Sequence, residues 1–122
     1  MTFKRLSLGR EGELFAEKYL KKNGYKIKER NFRSPLGEID LIADDGNVLV
    51  FIEVKTRKGN FLGQPFEAVN KRKQKQILKT AKYYLAKNRI RDTALRMDVV
   101  SIIDDEGIMK AELLKNAFED LF

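Results

Sequence analysis

The chain has 122 residues, of which 43% are apolar, and its 25 Lys and Arg against 18 Asp and Glu give a formal net charge of +7. Because it contains no His and no Cys, thiol nucleophiles, Cys/His zinc sites and imidazole bases are excluded, and any catalysis must use carboxylates, lysine, hydroxyl groups or a metal held by oxygen ligands. The positive charge favours a polyanionic partner such as nucleic acid or an anionic membrane face, although solubility alone explains it equally well.

The sequence predicts a single domain over residues 1–122, because no repeat, low-complexity segment or linker divides it. No run of residues is as long and apolar as a membrane-spanning helix. The N-terminal segment MTFKRLSLGREGE lacks the apolar region of a signal peptide. We therefore expect no membrane partner and a cytoplasmic location.

The first half of the chain predicts a helix and three strands. Residues 8–23 repeat apolar positions at helical spacing, and Gly24 follows as the terminating residue. Residues 25–32 alternate as in a half-exposed strand. Residues 36–43 and 48–56 form a predicted hairpin around the turn Asp44-Asp45-Gly46-Asn47, because Asp-Gly is a strong hairpin signal.

The second half predicts a loop over residues 57–64, a long helix from Pro65 to about residue 88, a strand over 95–103 and a turn at 105–107. The tail, residues 111–122, has helical periodicity. The order is thus α-β-β-β-α-β with a C-terminal helix, which predicts an α/β fold with a mixed central sheet flanked by helices. The long helix is expected to return the chain in a right-handed crossover.

Charged residues interrupt the predicted hairpin. Strand alternation would place Asp40 on the face opposite to Ile39 and Leu41, and would place Glu53 and Lys55 together on a strand that is otherwise apolar on both faces. If Asp45 and Gly46 form the two-residue loop, Asp40 and Glu53 are diagonal neighbours about 7–8 Å apart at the backbone. A register shifted by two residues would put them directly opposite each other.

Two carboxylates on a half-buried sheet face repel each other and resist desolvation, so a positive charge must compensate them. Lys55 could neutralise one of them, but Mg²⁺ (or Mn²⁺) would compensate both. The predicted ligands are Asp40, Glu53 and the carbonyl of Val54, and Lys55 would support the chemistry at phosphorus. The alternative is a structural ion pair with a spectator acid.

At these residues the chain resembles a known group of proteins. The spacing from Asp40 to Glu53-Val54-Lys55 resembles the PD-(D/E)XK signature of restriction-endonuclease-like nucleases. More closely, residues 9–103, with GREGELFAEKYL, GEIDLIA, FIEVKTR and KYYL in this order, resemble the YraN family of bacterial proteins, whose fold is thought to be that of archaeal Holliday-junction resolvases.

The resemblance implies a Mg-dependent endodeoxyribonuclease that cuts branched or junction-like DNA through attack of a metal-activated water on a phosphodiester. It implies that Asp40 and Glu53 are metal ligands, that Lys55 is the catalytic lysine, and that Glu13 brings an additional acid. By analogy it also makes a homodimer plausible. GEID stands where the nuclease pattern has Pro-Asp, which leaves the role of Glu38 open.

A set of basic residues predicts contact with the DNA backbone. Its members on the long helix and in the preceding loop are Arg57, Lys58, Lys71, Lys73, Lys75, Lys79 and Lys82. An ordinary solvated helix face is the alternative for the lysines. Two other functions stay open: a non-catalytic nucleic-acid-binding module of the same fold, and a scaffold whose acids only form ion pairs.

Overall fold

A five-stranded mixed sheet with one helix on each face forms the protein. The computed structural model describes residues 2–59 and 70–117, and it describes side chains from Gly9 onward. The elements in chain order are α1 (Thr2–Lys22), β1 (Lys26–Ser34), β2 (Gly37–Asp45), β3 (Val48–Lys58), α2 (Lys71–Lys87), β4 (Ala94–Asp105) and β5 (Ile108–Leu114).

The sheet has the spatial order β1-β2-β3-β4-β5. Adjacent strands are antiparallel except for β3 and β4, which run parallel. The connection containing α2 returns the chain to the end of the sheet at which β3 begins, so that β4 starts beside the first residue of β3. This confirms the predicted α/β fold with a mixed central sheet. Neither described helix has the length and apolar character that crossing a bilayer requires.

The core is divided between the two faces of the sheet, and β3 contributes to both. Leu49 and Phe51 pack on the α2 side against Ile77 and Tyr84, whereas Val50 and Ile52 pack on the α1 side with Ala16 and Leu20. This alternation explains why β3 is apolar at nearly every position. It also means that a charged residue on β3 lies under one of the helices.

Helix α1 lies unusually close to β3 at Gly12. A Cβ atom at this position would lie 2.1 Å from Thr56 Oγ1 and 3.2 Å from Thr56 Cβ, so only glycine permits the contact. The helix ends in a left-handed Gly24 (φ 88°), and Tyr25 N donates to Leu20 O at 3.0 Å. These contacts fix the position of Glu13, the residue after Gly12.

A buried polar network connects β4 to the residue before β1 and to the last residue of β2. Asp98 is 1% exposed and accepts hydrogen bonds from the Tyr25 hydroxyl (2.7 Å), Arg96 Nε (2.8 Å) and the backbone N of Asn116 (3.0 Å). Arg96 Nη2 also donates to Asp45 Oδ2 at 2.8 Å. Burial, followed by the bond to Asp98, raises the pKa of Tyr25 above its ordinary value, so its hydroxyl stays protonated and remains a donor to Asp98.

Three sequence predictions about the elements are wrong. The predicted tail helix is contradicted at Ala111–Leu114, which belong to β5 and pair with β4; residues 118–122 lie outside the described part. A helix running unbroken from Pro65 is contradicted because Asn70 has extended backbone and caps α2 by accepting from Lys73 N at 2.9 Å; Pro65 itself lies outside the described residues. Arg57 and Lys58 end β3 instead of entering a loop.

The hairpin has the second of the two registers that the sequence left open. Asp45 pairs with Val48, so that Gly46 and Asn47 form the loop. Gly46 is the first loop residue, where this type of turn needs a positive φ, and its φ is 60°. The pairing is shifted by two residues from that expected with an Asp45-Gly46 loop, so the side chains keep their faces but opposite residues change.

Candidate functional site

Strand β2 separates from β3 at Asp40. The paired residues run from Asp45 and Val48 to Leu41 and Ile52, and continuing the register by one residue would place Asp40 opposite Glu53. There the Asp40 side chain, through Oδ2, accepts a hydrogen bond from the Val54 backbone N at 2.8 Å. A carboxylate thus takes the place of a backbone acceptor and lies beside the acid of β3.

The predicted alternation along β2 fails on the N-terminal side of Asp40. Ile39 packs in the α2-side core, whereas Leu41, two residues later, packs in the α1-side core. Strict alternation would put them on the same face, so the prediction that Ile39 and Leu41 share a face is wrong. The change of side at Asp40 leaves its carboxylate between the strands.

Glu53 is the most enclosed acid of the site, with 6% of its surface exposed. Its Oε1 lies 3.5 Å from Lys55 Nζ on the same strand and 3.7 Å from Lys73 Nζ on α2. Two ammonium groups from different elements therefore approach one carboxylate oxygen. The sequence predicted the Lys55 contact but assigned Lys73 only to the DNA-binding set.

Both carboxyl groups are held in an environment that disfavours their charged forms. Burial, followed by the nearby charge of Asp40, raises the pKa of Glu53 to about 7 despite Lys73 and Lys55. Burial also raises the pKa of Asp40, although the Val54 N–H and Lys73 oppose the change. The two lysines thus compensate the pair incompletely, and further positive charge would stabilise both anions.

The third predicted ligand has a suitable orientation. Within an extended strand the N–H and C=O of one residue point toward the same neighbouring strand. Since the Val54 N–H points toward Asp40, the Val54 carbonyl points toward the same side. Within residues 2–59 and 70–117 no three acidic side chains are grouped closely enough to form a metal site by themselves. Two carboxylates and a carbonyl nevertheless suit Mg²⁺, which usually keeps several waters and takes the remaining oxygens from its substrate.

Glu13 and Asp40 line one cleft. This cleft, of about 430 Å³, lies between α1 and the first two strands and also contains Arg10, Arg30 and Glu38. Burial, followed by the charges of Asp40 and Glu38, raises the pKa of Glu13. The residue pattern alone did not predict that Glu13 lies near Asp40. The close packing of α1 on β3 places both on one cleft.

The predicted DNA-binding residues separate into different places. Lys73, Lys75 and Lys79 line a groove of about 680 Å³ beside α2. Arg72, which is not among the predicted residues, lines it as well. Lys71 and Lys82 are exposed on α2 but do not line this groove.

The two basic residues of β3 lie at the end of that strand. Lys58 Nζ is 3.5 Å from Asp104 Oδ2, and Arg57 Nη1 donates to Thr56 O at 3.3 Å.

A buried hydroxyl that is absent from the sequence prediction lies next to the site. Ser101 is paired with Lys55 across β3 and β4, and its Oγ has no hydrogen-bond partner within the described ranges.

Comparison with known proteins identifies relatives over nearly the full length. A family model described as "Uncharacterised protein family UPF0102" matches residues 12–102. A UPF0102 protein of Syntrophotalea carbinolica is 49% identical over 119 residues, covering 98% of this chain and 97% of the relative. UPF0102 proteins of Clostridium botulinum and Geobacter metallireducens are each 47% identical, covering 98% of this chain and 99% and 98% of the relatives. The predicted resemblance to the YraN-like family is confirmed.

Proposed function

The chain belongs to the uncharacterised protein family UPF0102, and we propose that it is a metal-dependent endonuclease acting on branched, junction-like DNA. The observation that supports this most strongly is the position of the Asp40 carboxylate, bonded to the nitrogen of Val54 directly after the buried Glu53. Burying such a pair contributes little to stability, because apolar residues usually serve as well. A role in holding a cation explains the arrangement.

In this proposal Asp40, Glu53 and the Val54 carbonyl hold Mg²⁺ or Mn²⁺. When bound, the ion supplies Lewis acidity toward a phosphodiester and its attacking water. Lys55, which is half-buried beside Glu53, presents positive charge where negative charge develops during the reaction. Glu13, whose pKa is raised by burial and by the charges of Asp40 and Glu38, shares the cleft with Asp40 and is the additional acid that could accept or donate a proton there.

A second function, a nucleic-acid-binding module without catalysis, is favoured by one observation. The groove beside α2 is lined by four cationic residues and by no acidic residue of the described chain. It would bind a phosphate backbone whether or not the acids react. Under either function, DNA is the partner that we propose, in the cytoplasm, and a two-fold dimer stays a prediction from the resemblance.

The nuclease assay uses the purified protein with four-way junction, flap and linear DNA in Mg²⁺ or Mn²⁺. We expect cleavage of the branched substrates and a loss on the order of 100-fold or more for Asp40→Asn and for Glu53→Gln. Asn keeps an acceptor for the Val54 N–H while it removes the charge. The control is Glu112→Gln, which neutralises an exposed acid on β5 and is expected to leave the rate unchanged.

Metal binding is measured separately by calorimetry. We expect Mn²⁺ to bind the unaltered protein and to bind Glu53→Gln much more weakly. DNA binding together with neither cleavage nor metal affinity would favour the binding module instead. Equal cleavage by Asp40→Asn and the unaltered protein would rule out the proposed site.

A further inference from the structure

The turn between β1 and β2 presents an exposed leucine on a rigid support. Ser34 pairs with Gly37, so that Pro35 and Leu36 form the tip of the hairpin. The Ser34 hydroxyl accepts from Leu36 N at 3.0 Å and donates to Gly37 O at 3.2 Å, and Pro35 has a restricted φ. Leu36 is nevertheless 46% exposed, which means that its side chain is held out toward solvent.

This tip is held against α2. Gly37 has φ 150°, and a Cβ atom there would lie 2.9 Å from both Gln76 Cγ and Thr80 Oγ1. The contact is therefore possible only with glycine at this position. It fixes the distance between the exposed Leu36 and the helix, and the basic groove of about 680 Å³ lies between them.

One residue of the groove also contacts the candidate metal site. Arg72, Lys75 and Lys79 line it together with Pro35 and Leu36. Lys73 lines it as well and also reaches Glu53, with 3.7 Å between Nζ and Oε1. A polyanion lying along the groove would thus contact cations on one side and an apolar side chain on the other, and one of those cations, Lys73, also contacts Glu53.

We propose that Leu36 is a wedge that inserts between adjacent bases of a DNA strand whose phosphates bind the four cations of the groove. Apolar side chains inserted at a base step unstack it at a cost of about a few kcal/mol. That cost is smallest where stacking is already interrupted, so the wedge selects a branch point over continuous duplex. This inference rests on the proposed function in one respect, that DNA is the ligand, and it adds how branched DNA is recognised.

The test measures base unstacking without cleavage. A four-way junction with 2-aminopurine next to the branch point is titrated with the protein in EDTA, and its fluorescence and affinity are compared with those of linear DNA of the same sequence. We expect fluorescence to rise on binding. For Leu36→Ala the rise should be lost and the preference for the junction should fall roughly fivefold or more.

Two matched pairs of variants control the measurement. Ile108, which is 66% exposed at the β4–β5 turn, serves as the comparison for Leu36, and Ile108→Ala should behave as the unaltered protein. Lys79→Ala should reduce the slope of log affinity against log salt by about one, whereas Lys82→Ala, on the same helix but outside the groove, should change it less.

The proposal is overturned if the unaltered protein does not bind the junction, if binding produces no rise in fluorescence, or if Leu36→Ala and the unaltered protein give the same rise. Because EDTA prevents metal-dependent cleavage, a rise that depends on Leu36 supports the wedge even in a protein that fails the nuclease assay. Cleavage of the junction together with an equal fluorescence rise for Leu36→Ala and the unaltered protein would leave the nuclease proposal standing and remove only the wedge.

Discussion

Glu53→Gln is expected to stabilise the metal-free protein at pH 8 and to have much less effect at pH 4.5. The cause is the enclosure of Glu53, which is 6% exposed, under α2 and beside Asp40. Burial, followed by the charge of Asp40, raises its pKa from 4.5 to about 7. The charged form is therefore disfavoured in the folded state, and glutamine has the same shape without the charge.

The magnitude follows from the interval between the two pKa values. In the window from 4.5 to about 7 the folded protein holds a proton that the unfolded chain has released, so stability falls as the pH rises. The interval is about 2.5 pH units, at about 1.4 kcal/mol each, which gives a loss of roughly 3–4 kcal/mol that is complete above the folded pKa. The gain from Glu53→Gln should grow by this amount between pH 4.5 and 8.

The assay is urea denaturation in EDTA, followed by circular dichroism at 222 nm, at several pH values from 4.5 to 8. The difference in unfolding free energy between Glu53→Gln and the unaltered protein cancels the contribution of Glu13, whose raised pKa acts in the same direction. It reports Glu53 together with its interaction with Asp40. Glu112→Gln, at an exposed position of β5, is the control. If the difference in unfolding free energy stays constant across the pH range, the destabilisation does not come from a buried Glu53 carboxylate.

Two further predictions concern the contacts that support the site. Gly12→Ala should destabilise the protein by about 1–3 kcal/mol, because the new Cβ would collide with Thr56. Gly9→Ala, on the same helix, has no atom within 4 Å of the new Cβ and should instead stabilise the protein by up to about 1 kcal/mol. Equal effects of the two variants in thermal denaturation would contradict the close packing at Gly12. Asp98→Ala should cost about 3–5 kcal/mol because three donors, the Tyr25 hydroxyl, Arg96 Nε and Asn116 N, lose their buried acceptor. A loss below about 1 kcal/mol in urea denaturation would show that the network contributes little.

The local sequence predicted the elements well where a single pattern decides them. The continuous apolar run around Phe51 and the helical spacing of Ile77, Ala81 and Tyr84 predicted β3 and α2, and both are observed with those residues buried. The tail was predicted wrongly because residues 111–114 have an apolar pattern compatible with either element. Pairing with β4 resolves the choice in favour of β5.

The candidate site was predicted in its residues but less completely in its geometry. The oxygen-only chemistry and the acids of β2 and β3 follow from a sequence without His or Cys. The register of the hairpin depended on whether Gly46 takes the first or second loop position, and the face of Ile39 depended on the break at Asp40. Neither is encoded in a periodic pattern, because both result from a local departure from it.

The sequence by itself determined that this is an α/β protein with an acidic pair on adjacent strands, since strand alternation and residue chemistry are local properties of the chain. Tertiary structure alone decided that Lys73 of α2 approaches Glu53, that Glu13 shares a cleft with Asp40, and that Leu36 lies across a groove from a row of cations. These juxtapositions join residues far apart in the chain, and they depend on how closely each helix packs on the sheet. That distance is set at Gly12 and Gly37, where the absence of a side chain permits contact.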